Sequence, residues 1–266
     1  MMMDEGRTHK ADLMRIDLNA DLGEGYGPYT LGDDAALLDL VTSANVACGF
    51  HGGDPSIMVV TASAARARGV AIGAHPGFQD LRGFGRRVIA ESAGEIEAGV
   101  AYQIGALQAC AALGHHRVTH VKAHGALANL SNADADVAKA LARAVLAVDR
   151  TLPLVVMPGL AAERAALDAG LAVVREIYAD RAYEEDGQLC ARSRPGAVIH
   201  DAAEAAARVR RMVEEGAVIT LAGRRIAVSI DTICVHGDTP QAVETARAVR
   251  LALGEAGFEL AAFAAA

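Results

Sequence analysis

Four times in this chain a short apolar run stops at a histidine, with glycine following at once or one residue later. The segments are NVACGFHGGD around His51, VAIGAHPGF around His75, THVKAHGAL around His124 and DTICVHGDT around His236. A run that ends this way reads as a buried strand delivering a polar side chain to its tip. Four such endings predict parallel strands converging on one polar pocket, as at the mouth of a barrel or the crevice of an open sheet.

The segments between supply helices. Strands are expected at 14–19, 43–48, 70–74, 118–123, 154–157, 172–177 and 233–235, and helices at 33–40, 55–68, 92–113, 133–148, 160–169, 201–215 and 240–253. Asp54 before Pro55 is an N-cap followed by proline at the first helical position, and the helix from 133 is expected to be capped near Asn132. Runs at 217–221 and 226–230 flank AGRR and read as a hairpin. This β–α repetition, nearer seven units than eight, predicts an α/β fold, a distorted seven-stranded (β/α) barrel. Such barrels run to about 250 residues. The 266 residues therefore suit a single barrel domain over 14–266, after a flexible polar extension over 1–13. The end, LAAFAAA, is expected to fray.

A hydrophobic fraction of 52% with no tryptophan implies an aliphatic core, and a net charge of −8 argues against nucleic acid, which needs basic surface. Arg208, Arg210 and Arg211, followed by Glu214 and Glu215, read as a solvated helix face. Cys48, Cys110, Cys190 and Cys234 form no Cys-x-x-Cys pair, which fits a reducing compartment. No apolar run approaches the roughly 18–20 residues of a membrane span, and 1–15 lacks a signal-peptide core. A cytoplasmic protein is expected, with neither membrane nor nucleic acid as partner.

The strand ends carry the chemistry. Asp17, Asn19 and Asp21 alternate and so share one face; Asn19 and Asp21 line a pocket or cap the following loop. Asn45 and His51 follow on the second strand, where flanking glycines leave His51 open to a ligand; the alternative is a core histidine bonded to a backbone carbonyl. Lys122 and His124 share a face. A buried lysine there must be paired or have a depressed pKa, serving as an oxyanion clamp or proton carrier, or simply pairing with Glu176 or Asp180. Arg86 and Arg87, behind the glycines of GFGRR, offer guanidinium forks for carboxylate or phosphate or a solvated loop. Asp180 and Arg181 lie just past the sixth strand, and Asp238 two residues after His236, where a carboxylate orients a histidine or acts as a base. His115, His116 and His120 read as surface residues. There is no G-x-x-x-x-G-K-[ST] loop, dinucleotide fingerprint or G-x-S-x-G elbow.

In order, DLNADLGEGYG, ANVACGFHGGDP, IGAHPGFQDLRGFGRR, HVKAHGALAN, EIYADRAY and CVHGDTP resemble the LamB/YcsF, or lactam-utilization, family over about residues 15–258. The chain departs from the family pattern at Ala123, where proline is usual, and at Ala128, where tyrosine is usual. The resemblance implies a distorted barrel of the glycoside hydrolase/deacetylase-like type. It implies the role of the A subunit of a 5-oxoprolinase, a hydrolase that opens the lactam of 5-oxo-L-proline to L-glutamate with ATP as co-substrate, working with subunits B and C. On that reading Asp21, His51, Lys122 and His124 are catalytic, with Asp21, His51 and His124 as general acid/base groups or ligands of a divalent metal. Asn19, Asn45, His75, Arg86, Arg87, Glu176, Asp180, Arg181, His236 and Asp238 contact substrate or nucleotide. Two other readings stay open: a metal-dependent amidase or deacetylase acting on a small sugar amide without ATP, and a non-catalytic substrate-binding subunit.

Overall fold

The computed structural model describes residues 14–266, so the extension expected over 1–13 lies outside the described residues. In chain order the strands are β1 (Arg15–Leu22), β2 (Ser43–Ala47), β3 (Ala71–His75), β4 (Val118–Lys122), β5 (Leu154–Val156), β6 (Val173–Tyr178), β7 (Ala217–Ile219), β8 (Arg225–Ala227), β9 (Thr232–Val235) and β10 (Glu259–Leu260). The helices are α1 (Asp34–Leu38), α2 (Pro55–Ala67), α3 (Ala93–Leu113), α4 (Gly125–Ala133), α5 (Ala135–Val148), α6 (Ala161–Asp168), α7 (Ala202–Glu215) and α8 (Ala242–Glu255). Strands β1 to β6 pair in parallel, each with the next; β9 joins β6 and returns to β1, closing a seven-stranded barrel inside the helices.

Period-two alternation sorts the residues of β1. Leu18, Ala20 and Leu22 pack into the apolar core, while Asp17, Asn19 and Asp21 meet the polar side chains of neighbouring strands inside the barrel. Helix faces that mix alanine with aliphatic side chains, such as Ala138, Leu141, Ala142 and Val145 of α5, complete the core. The helix starts follow their caps. Asp54 accepts from the backbone N–H of Ser56 and Ile57 ahead of α2, and Ser92 with Glu95 forms a capping box ahead of α3. Gly216 ends α7 in the left-handed region at φ 57°.

Several expectations need correction. The helix expected over 133–148 forms as α5, capped by Asp134 and not Asn132 through the N–H groups of Asp136 and Val137, and a further helix, α4, follows His124 directly where none was expected. The C-terminal residues do not simply fray, because β10 pairs with the foot of β1 and the Phe263 ring stands edge-on to His120, 4.9 Å away. His116 and His120 are not surface residues: His116 bonds the Val70 carbonyl, and His120 is fully buried inside the barrel. Arg210 and Arg211 make the expected helix-face pairs with Glu214 and Glu215. Arg208 instead turns inward, donating to the carbonyls of Arg181 and Ile219. The hairpin forms as the antiparallel pair β7–β8, outside the barrel. No helix among the described residues is long and apolar enough to cross a membrane, and all four cysteines are free.

Candidate active site at the strand ends

A polar column fills the barrel axis. At its foot Asp17 accepts from Ser43 Oγ (2.7 Å), Thr42 Oγ1 (2.6 Å) and Thr232 Oγ1; burial raises its carboxyl to about 6. Above it Asn19 donates to Glu176 Oε1 (3.0 Å) and Thr232 Oγ1 (2.7 Å), and Asn45 donates to Asn19 Oδ1 (2.7 Å) and Asp21 Oδ1 (2.9 Å). Lys122 Nζ lies 2.9 Å from both Asp21 Oδ1 and Glu176 Oε1 and 3.0 Å from Cys234 Sγ. Burial opposes the ammonium, but Asp21 and Glu176 outweigh it and hold Lys122 well above the usual lysine value. The same cation, against the cost of burial, holds Asp21 well below the usual carboxylate range. Lys122 is therefore both paired with Glu176 and present as a cation on the cavity wall.

Beside this pair lies a cluster of three histidines. His51 and His124 stack with ring centroids 3.7 Å apart, and His75 meets them edge-on at 5.4 and 5.0 Å. Glu24 Oε1 lies 3.4 Å from His51 Nε2 and 3.9 Å from His124 Nε2; Asp21 Oδ2 lies 3.5 Å from His75 Nε2. His75 Nδ1, 2.7 Å from the Lys122 carbonyl, must donate, which leaves Nε2 as the ring nitrogen that faces the cluster. Burial, reinforced by the neighbouring rings, lowers His51 and His124 well below the usual histidine value, so both stand neutral. Burial, with Asp21 and Asp238 nearby, raises Glu24 well above the usual range.

This cluster depends on one corner of the GFGRR loop. Phe84 is left-handed at φ 55°, Gly85 follows at φ 63°, and a Cβ on Gly85 would come within 2.7 Å of both His124 Nδ1 and His51 Cβ. The corner carries Arg86 across the Phe84 ring at 5.0 Å and onto Asp238 Oδ2 at 2.6 Å. It sends Arg87 elsewhere. Arg87 pairs with Asp80 and does not line the cavity, so the loop reading, not the ligand reading, describes it.

The cavity has a volume of about 380 Å³ and opens at the carboxyl ends of the strands, within the range of small-molecule sites. Asp21, His75, Lys122, His124, Arg86, Tyr178, Arg181 and His236 line it, and Ala123 and Ala128 leave part of its wall narrow-chained. His236 Nδ1 is held 2.8 and 2.9 Å from the two oxygens of Asp180, and its ring stacks on Tyr178 at 5.3 Å. The carboxylate that orients His236 is thus Asp180, while Asp238 serves Arg86. Asn19, Asn45 and Glu176 lie beneath, as supports of the Lys122–Asp21 pair. Arg181 donates to the carbonyls of Ala197 and Cys190 and so fastens the loop after β6 over the cavity.

Sequence reasoning missed three participants. Glu24 joins the histidine cluster in a place expected for Asp21; its only signal was position, three residues past Asp21 in DLGEG. Arg192 lines the cavity from the loop after β6. His120 bonds Asn45 Oδ1 at 3.0 Å within the column, and a Cβ at Gly73 would collide with its ring.

A sequence model of the LamB/YcsF family matches residues 16–266. The chain is 58% identical over 252 residues to the A subunit of 5-oxoprolinase from Rhodopseudomonas palustris strain BisB5, covering 94% of this chain and 99% of that one. It is 56% identical over 249 residues to the corresponding 5-oxoprolinase subunit of Gluconobacter oxydans strain 621H, covering 94% and 96%. Among solved structures, a lactam utilization protein from Thermus thermophilus superposes with a TM-score of 0.89 at 52% identity, over 94% of this chain and all 100% of that one. The catalytic domain of a peptidoglycan N-acetylglucosamine deacetylase from Eubacterium rectale ATCC 33656 shares the fold alone, with a TM-score of 0.51 at 10% identity over 97% and 91% of the two chains.

Proposed function

The chain belongs to the LamB/YcsF family, and on that premise we propose that it is the A subunit of a 5-oxoprolinase, with a cavity that opens the lactam of 5-oxo-L-proline. The observation that carries the reading is the conjunction, on one small cavity, of the Lys122 cation and a histidine held by a buried carboxylate. The five-membered lactam is an unstrained amide, and ATP supplies the driving force. Phosphoryl transfer to the lactam oxygen forms an O–P bond, breaks the bond to the β-phosphate oxygen and releases ADP. Water then adds to the activated carbon as its proton passes to His236 Nε2, the ring nitrogen left to the cavity by the Asp180 bond. The proton is delivered to the lactam nitrogen as the C–N bond breaks. A second water hydrolyses the acyl phosphate to glutamate and phosphate. Lys122 stabilises the developing oxyanion, and Asp180 holds the His236 tautomer. Subunits B and C are the proposed partners, contributing to the ATP site.

The histidine cluster fits a divalent cation. One ligand atom from each of Glu24, His51, His75 and His124 lies within 4.8 Å of the others. His51 Nδ1 and Nε2, His75 Nε2 and His124 Nδ1 are buried without a hydrogen-bond partner, which is costly unless something binds them. The His75–carbonyl bond is the usual outer support of a ligating histidine. A cation held there would polarise a carbonyl or phosphoryl oxygen and acidify a bound water. This donor set also favours the second reading, a metal-dependent amidase needing no ATP.

The test is 5-oxoproline-dependent ADP formation by the chain co-expressed with subunits B and C. His236→Ala should lower kcat by roughly 10²- to 10⁴-fold, and Asp180→Asn should lower kcat with little change in the KM for 5-oxoproline. Wild-type ADP formation by His236→Ala would remove His236 from the chemistry. Amide cleavage without ATP by a metal-loaded chain would favour the second reading. Lactam binding with pocket variants altering affinity alone would leave a non-catalytic binding subunit.

A further inference from the structure

We propose that the guanidinium groups of Arg86 and Arg192 form an oxyanion subsite at the rim of the cavity, which takes the carboxylate or phosphoryl group of the bound reactant. The assignment of the reactant rests on the function proposed above; the subsite itself does not.

Arg86, Arg181 and Arg192 line the cavity with Arg87 adjoining, and their bonding separates them. Arg87 is spent on Asp80. Arg181 is spent on the carbonyls of Ala197 and Cys190. Arg86 gives one nitrogen to Asp238 and is braced over Phe84, so its remaining donors have a fixed orientation. Arg192 is half-buried on the cavity wall and has no hydrogen-bond or ion-pair partner among the described residues. Burial and then the charge of Arg86 push its guanidinium down, against the opposing pull of Asp238, Asp180 and Asp21, so two like charges lie within reach of one another on a partly desolvated rim. Asp238 already partners Arg86, so it is the Arg192 guanidinium, partly buried and without a bonded partner, that an anion reaching both groups would satisfy. Guanidinium forks suit planar carboxylates and phosphoryl oxygens alike, through paired charge-assisted bonds. The rim also connects to the chemistry below. Phe84 under Arg86 stands edge-on to His51 and His124, at 5.6 and 5.3 Å, so the same corner that builds the histidine cluster aims the subsite.

The experiment uses the full-length chain with three probes: 5-oxoproline, the carboxylate-free lactam 2-pyrrolidinone, and inorganic phosphate, each titrated calorimetrically into wild type, Arg192→Gln and Arg192→Lys. If the subsite takes the lactam's carboxylate, wild type prefers 5-oxoproline to 2-pyrrolidinone, and Arg192→Gln loses roughly 10- to 100-fold of that preference. If it takes a phosphoryl group, phosphate affinity falls by a similar factor in Arg192→Gln and the lactam preference is kept. In either case Arg192→Lys restores part of the loss, since it keeps the charge without the fork. Unchanged binding of all three probes in Arg192→Gln, with an unchanged melting temperature, overturns the proposal. Failure of the oxoprolinase reading is seen separately, as wild-type complex that forms no ADP in response to 5-oxoproline while Arg192-dependent anion binding persists.

Discussion

At Gly73 the barrel interior leaves no room for a side chain, because a Cβ would strike the ring of His120 across the β3–β4 pairing. That ring in turn bonds Asn45, which positions Asp21 beside Lys122. Gly73→Ala should therefore cost about 1–3 kcal/mol by overpacking. Adding His120→Ala removes the obstacle, so the double variant should be more stable in urea than the sum of the two single losses predicts; simple additivity would refute the contact. At this scale the sequence was readable where a side chain's neighbours are near in the chain. The pairing of Asp54 with its own helix start is of that kind. Glu24, Arg192 and His120 were not legible, because their partners stand far away in sequence and the chain offers no spacing that would join them.

Elements were legible to within a residue or two wherever punctuation was strong. Asp54 with Pro55 marked the start of α2 in this way. The run from 125 to 133 was missed, because α4 starts straight after His124, whose side chain makes no cap bond, so no capping residue announces it. Asp134 divides the two helices: it closes α4 and its side chain opens α5. Asp134→Ala should lower stability by about 1 kcal/mol, measured as a urea midpoint shift with unchanged slope, whereas Asn132→Ala should not act through the cap. β1 was also longer than expected, since strand pairing with Ser43–Val46 keeps Asn19–Leu22 extended even though its polar residues look loop-like.

For the whole molecule, the α/β barrel and its strand count follow from repeated units that the sequence displays openly, whereas the charged column inside it does not. Asp17 makes that column a source of pH dependence. Its carboxyl stands at about 6 against an ordinary 3.8, so its contribution to stability is full below pH 3.8 and is lost as pH rises to about 6. A shift of roughly two units corresponds to about 3 kcal/mol. Wild-type melting temperature should fall across this window relative to Asp17→Asn, which cannot ionise; parallel curves would show that Asp17 does not titrate there. The histidine cluster predicts a second global effect. Zinc at 100-fold above its Kd should stabilise the native chain by about 2.7 kcal/mol, seen as a rise in melting temperature reversed by chelator and missing from His124→Ala. An equal rise in that variant would place the metal elsewhere.

The seam of the barrel has a consequence for the order of assembly. β1 is completed by β9 and β10, more than 200 positions later in the chain. On the ribosome, the polar row of β1 emerges long before Thr232 and Cys234 exist to receive it. Until then β1 has no β9 to pair with, and Asp17 and Asn19 lack Thr232 as a partner. Closure by such distant pairing is intrinsically slow. The last strand synthesised into the barrel therefore does more than close a ring: it supplies the Thr232 and Cys234 contacts of the column and leads directly to His236, so the His236–Asp180 pair forms only once β9 is in place.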